Sequence, residues 1–253
     1  MQLNYKEFGQ GDPLIILHGL FGMLDNWQTI AKRLATDHTV FIIDLRNHGR
    51  SPHTPVHTYP EMAEDLLRFM ENHWIYKSHI MGHSMGGKTA MQFALDYPDR
   101  VDHLVVVDIA PKAYPPAHRQ IINALRALDF SEIKNRLEAD RQLAKTIDNP
   151  AIRMFLLKNL TRDKNGTYRL KMNLPVLDKY YDEITRAIRA DHPFRGPALF
   201  LRGQHSPYIQ DEDIPDIKSL FPNAVIETVT GAGHWIHADA PDEFLKKVKR
   251  FLH

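Results

Sequence analysis

Residues 82–87 read Gly-His-Ser-Met-Gly-Gly and follow the run Ser78-His79-Ile80-Met81. A strand that ends in G-x-S-x-G and turns straight into a helix makes a tight, strained corner. The flanking positions must be small, and Ser84 is thrust out at the strand tip. Lys88 to Leu95 continues as the helix, whose N-terminal dipole faces any negative charge forming at Ser84. The same residues also satisfy a second grammar. Gly82-x4-Gly87-Lys88-Thr89 fits G-x-x-x-x-G-K-[ST], a phosphate-cradling loop that also sits between strand and helix. Leu104-Val105-Val106-Val107-Asp108 then passes for the apolar strand that ends in a magnesium-binding Asp. One stretch supports two enzyme classes, and the rest of the chain has to decide between them.

Composition narrows the field first. With 253 residues, 43% hydrophobic and 25% charged, the chain suits one α/β domain carrying an insertion. Lys and Arg number 32 against 31 Asp and Glu, so no net field draws nucleic acid or a membrane surface. No apolar run reaches the roughly 18 residues of a bilayer span, and Met1 to Phe8 lacks the layout of a secretory signal. The absence of cysteine excludes disulfides, thiolate nucleophiles and cysteine–zinc sites, and suits a cytoplasmic location.

Along the chain, residues 2–8 read as an edge strand and Leu14 to Leu17 as a strand covered on both faces. The latter ends in His18-Gly19-Leu20-Phe21-Gly22. A His-Gly loop at this place can offer the N–H of Leu20 to an oxyanion, with the N–H of Met85 as its partner; the alternative is a plain turn. Asn26 to Ala35 and Tyr59 to Asn72 carry helical periodicity, and Thr39 to Asp44 is a buried strand. Asp44 opens Leu45-Arg-Asn-His-Gly-Arg-Ser51, where it is expected to order the turn. Val101 to Asp108 is a further strand. From Pro111 to about Pro193 strand-like runs give way to helical stripes: Ile121, Leu125 and Leu128; Ile133, Leu137 and Leu143; and a helix over 174–189. Asp163 to Gly166 looks like a turn, that of a small hairpin being one reading. This predicts a core of residues 1–110 and 194–253 with a helical lid over 111–193. Residues 197–202 and 224–229 are strands, and Pro241 to Leu252 is a closing helix. The last strand leads into Gly231-Ala-Gly-His234-Trp235.

Strands alternating with helices predict a mostly parallel, doubly wound sheet with its sites beyond the carboxyl ends of the strands. The phosphate-loop reading leaves His18-Gly19, the helical insertion and the final Gly-x-Gly-His unexplained. The serine-nucleophile reading places each where its chemistry needs it, in the order Ser, Asp, His. The base is then His234, at a strand end, rather than the neighbouring His237.

On these motifs, together with Val107-Asp-Ile-Ala-Pro111 and Arg202-Gly-Gln-His-Ser206, the chain resembles the α/β-hydrolases, and within them the YbfF-type bacterial esterases. In the commoner hydrolase plan the acid follows the strand after the lid, but here that position is Ser206. The resemblance implies Asp108 as the acid and Ser206 as an auxiliary hydrogen-bonding partner of His234, with Asp211 as the competing carboxylate. It further implies hydrolysis of short- to medium-chain carboxylic esters, or of acyl-CoA thioesters, without metal or cofactor. Carbon–carbon bond hydrolysis and cofactor-free perhydrolysis use the same triad. The candidate pocket residues are Phe21, His83, Met154, Phe155, Tyr180, Tyr181 and Trp235, and His83 also reads as an elbow packing residue. Lys158, Arg162, Lys164, Arg169 and Lys171 form a basic cluster that either meets coenzyme A phosphates or is a solvated face. The only partner expected is a small ester or thioester, and monomer and dimer both remain open.

Overall fold

The computed structural model describes residues 1–253. The first half alternates as β1 (Tyr5–Phe8), β2 (Asp12–Leu17), α1 (Gln28–Leu34), β3 (His38–Ile43), α2 (Tyr59–Asn72), β4 (Ser78–His83), α3 (Met85–Asp96) and β5 (Val101–Val107). An excursion follows, made of α4 (Arg119–Arg126), α5 (Arg136–Ala144), α6 (Pro150–Leu157), β6 (Leu160–Arg162), β7 (Tyr168–Leu170), α7 (Leu174–Lys179) and α8 (Tyr181–Thr185). The chain returns through β8 (Ala198–Gly203), α9 (Ile214–Leu220), β9 (Ala224–Val229), α10 (Ile236–Asp239) and α11 (Pro241–Leu252). No helix is long and apolar enough to cross a membrane.

Seven strands form one sheet in the order β1-β3-β2-β4-β5-β8-β9. Only β1 runs antiparallel to its neighbour. The winding reverses between β2 and β4, which is where open α/β sheets leave a crevice at the carboxyl ends of their strands. The register sets Leu17 opposite Gly82 and His83 opposite Val107. The turns after β2, β4 and β5 therefore come out side by side.

Alternation along the buried strands feeds two cores. Ile15, Leu17, Ile80, Leu104 and Val106 face α2, α3 and the excursion. Leu14, Ile16, Met81, Val105 and Val107 face α1, α10 and α11. Asp44 orders the turn after β3, its carboxylate accepting from the N–H groups of Leu24 and Arg50.

The excursion departs from expectation in three places. It is not wholly helical: the hairpin reading of Asp163 to Gly166 holds, with β6 and β7 pairing antiparallel around a turn in which Gly166 N–H donates to Asp163 O at 3.1 Å. The helix expected over 174–189 is two short ones broken at Tyr180, and Tyr181 thereby points to His118. Leu137 is not part of a buried stripe; it faces solvent on α5, whose inward positions are Ala139 and Leu143.

Candidate active site

Ser84 sits between β4 and α3 with φ 52° and ψ −118°. In a non-glycine residue such a conformation costs on the order of 1–3 kcal/mol and needs support from its surroundings. Its N–H donates to Val107 O, and its carbonyl accepts from Lys88 N–H, both at 3.0 Å. A Cβ on Gly82 would lie 2.1 Å from Gly86 O, and one on Gly86 would lie 2.5 Å from Leu17 O. Both glycines are therefore dictated by close backbone approach.

Asp108, at the tip of β5, is fully buried and also left-handed, with φ 53°. Its Oδ1 accepts from Gly203 N–H at 3.0 Å. Its Oδ2 accepts from Ser206 Oγ and from His234 Nδ1, the latter at 2.7 Å. With Nδ1–H committed to the carboxylate, Nε2 of His234 is left as the acceptor. Tyr208 stacks on the His234 ring at 3.9 Å. From the other side His83 donates its Nε2–H to His234 O at 2.9 Å. Burial, followed by the charges of His234 and His237, holds His83 well below the ordinary histidine range. Ser206 thus touches the carboxylate rather than the imidazole, contrary to expectation. Asp211, the competing carboxylate, does not reach His234; it lies largely in solvent, paired with Arg202 at 2.6 Å.

The loop after β2 is held from two sides. Phe21, at φ 60°, donates its N–H to His48 Nε2 at 3.3 Å and accepts at its carbonyl from Asn159 Nδ2 at 2.7 Å. His48 belongs to a buried file with His18 and His57, with ring centroids 5.1 and 5.6 Å apart. Burial lowers all three, His57 to about 3, so they act as neutral hydrogen-bonding groups. Beside Phe21, the N–H of Leu20 has no acceptor within the protein. Met85 opens α3, where an N–H has no intrahelical carbonyl to meet. Both lie next to Ser84 in the lining of a cavity.

Two cavities, of about 370 and 850 Å³, meet at Ser84 and share Leu20, Ala117, His118 and Tyr208 as walls. Phe21, His83, Met154, Phe155 and Trp235 line the larger one, as does His234. Tyr180 and Tyr181 line neither. Tyr181 is instead fully buried, with its hydroxyl against the N–H and Nδ1 of His118. Of the basic cluster, only Lys158 borders a cavity at Ser84.

The phosphate-loop reading fails on geometry. Gly82 belongs to β4 rather than to a loop. Lys88 is buried with Nζ donating to the carbonyls of Lys112, Thr185 and Arg186 at 2.9, 3.3 and 2.5 Å. Burial draws this amine down to about 7, and its N–H donors are spent on backbone carbonyls. No group of three or more His, Asp or Glu side chains is arranged to hold a metal.

Tyr208, His118 and Asn159 were not legible in the sequence. Each acquires its place from a contact far along the chain, Asn159 with a residue 138 positions away.

The sequence pattern of the alpha/beta hydrolase fold matches residues 12–241. The chain is 42% identical over 250 residues to the sn-1-specific diacylglycerol lipase ABHD11 of Xenopus laevis, covering 96% of this chain and 80% of that one. It is 39% identical over 244 residues to Esterase YbfF of Escherichia coli K12, covering 95% and 92%. A solved marine microorganism esterase superposes with a TM-score of 0.97 at 47% identity, with 99% of both chains covered.

Proposed function

From the premise that this chain belongs to the alpha/beta hydrolase family, as an enzyme of the esterase and lipase type, we propose that it cleaves carboxylic esters through an acyl-enzyme on Ser84. The observation that carries this reading is the 2.7 Å contact between His234 Nδ1 and a carboxylate that is fully buried, beside a serine in the elbow conformation. His234 Nε2 accepts the proton of Ser84 as the hydroxyl attacks the ester carbonyl. Asp108 fixes the tautomer and stabilises the imidazolium. The N–H groups of Leu20 and Met85 bind the developing oxyanion, each worth about 3 kcal/mol in such sites. His234 then delivers its proton to the leaving alkoxide, and water, deprotonated by the same imidazole, releases the acid. Ser206 orients Asp108 rather than His234.

In this reading residues 111–193 act as a lid on a core of 1–110 and 194–253, and set specificity. A second substrate class, acyl-CoA thioesters, is favoured by one observation, the position of Lys158 at the larger cavity. The cysteine-free composition supports cytoplasmic residence.

Labelling with a fluorophosphonate, mapped by peptide mass spectrometry with Ser84→Ala as control, tests the assignment. Modification confined to Ser84 is the expected result. A folded protein left unlabelled would overturn it.

A further inference from the structure

We infer that the two cavities divide the substrate, the acyl group entering the smaller and the alcohol the larger, so that the enzyme takes esters of a compact, uncharged acyl group with a bulky alcohol. The inference rests on the proposed acyl-enzyme at Ser84. The leaving oxygen must receive a proton from the imidazole that took one from the serine, so the alcohol lies on the imidazole side of the tetrahedral centre. His234 lines the larger cavity and not the smaller. The acyl chain, on the opposite side of the reacting carbon, is left with the smaller one.

The walls agree with this division. The smaller cavity is bounded by Met85, Ile109, Ile184 and Pro207, and Tyr59 and Lys88 also contribute to it. Four polar groups of this wall are already engaged: Lys112 Nζ donates to the Asp213 carboxylate at 2.7 Å, Tyr114 Oη to Tyr208 O at 2.6 Å, Tyr59 Oη to Ile184 O at 2.6 Å, and Lys88 to three carbonyls. None of the four stands without a partner to meet a carboxylate or phosphate on an acyl chain. Because the bonds of Tyr59 and Lys88 tie α2 and α3 to the end of the excursion, this wall cannot recede without breaking them. The larger cavity sets Phe21, Phe155 and Trp235 beside Asn26, Asn149 and Lys158. It suits an alcohol with an apolar body and a hydrogen-bonding end.

The experiment is a pair of substrate series on the whole protein. One varies the acyl chain of p-nitrophenyl esters from acetate to dodecanoate; the other varies the alcohol at fixed butyrate. Wild-type kcat/KM should fall at least tenfold beyond a sharp acyl-length limit and tolerate increasing alcohol size. Ile184→Ala, with Ile184→Val as the milder variant, should move the acyl limit to longer chains and leave the order of alcohols unchanged. Phe155→Ala should reorder the alcohols and leave the acyl limit in place. The opposite pattern, or a wild type with no acyl limit, would overturn the division. Fluorophosphonate labelling of Ser84 in each variant separates the two failures. A labelled enzyme with the wrong pattern sinks only the division of the cavities, whereas an unlabelled one sinks the acyl-enzyme itself.

Discussion

At the residue scale the decisive group is Asp108, which accepts from Gly203, Ser206 and His234 while fully buried. Asp108→Asn keeps the shape but presents an amide where His234 needs an acceptor. The wrong tautomer then faces Ser84, and kcat should fall by about 10⁴-fold. Asp211→Asn should leave kcat near wild type, because that carboxylate meets only Arg202 at the surface. Steady-state ester hydrolysis by the two variants decides between the carboxylates. The positions of Ser84 at a strand tip and of His234 after the last strand were legible because their signals are local: small residues around the tip, and a Gly-x-Gly-His past the strand end. Asp108 was legible only as the end of an apolar run next to the elbow. The contacts of Tyr208 with the imidazole and of Asn159 with Phe21 had no local signal, since both arise from tertiary packing.

At the scale of elements, Lys88 shows how one grammar hides another. Its place after Gly87 mimics a phosphate loop, yet its amine pins α3 to the carbonyls of Lys112, Thr185 and Arg186. Lys88→Met should strand three carbonyls and destabilise the fold by about 3 kcal/mol, on the order of 10 °C in Tm. Thermal unfolding gives the size of the effect, and calorimetry with magnesium-ATP should detect no nucleotide binding in either protein. The parallel strands were readable to within a residue or two, because an apolar run covered on both faces has few other uses. The excursion was less so. Its helices are short and amphipathic, and Tyr180, where one of them breaks, carries no stop signal such as glycine or proline. Tyr181 has helical spacing, which does not distinguish a cavity wall from a residue that supports His118 from behind.

For the molecule as a whole, the buried histidines set a limit in acid. Burial lowers His48, His57 and His83, the second to about 3, whereas the unfolded chain takes up these protons near 6.5. Below that pH the unfolded state binds more protons than the folded one. Stability is therefore full above about pH 6.5 and lost as pH falls toward the folded values, by roughly 1.4 kcal/mol per pH unit for each such histidine. The urea midpoint should drop steeply between pH 6.5 and 4.5; a flat profile would mean that these rings are charged within the fold. The partners of Asp108 carry a different consequence. All three groups that donate to its carboxylate, the Gly203 N–H and the side chains of Ser206 and His234, come after the excursion has been completed. A chain still emerging from the ribosome with only its first two hundred residues exposed has a carboxylate at the tip of β5 and nothing to satisfy it. These contacts wait for β8 and for the turn after β9, so under the proposed function ester cleavage cannot begin before synthesis has passed residue 234.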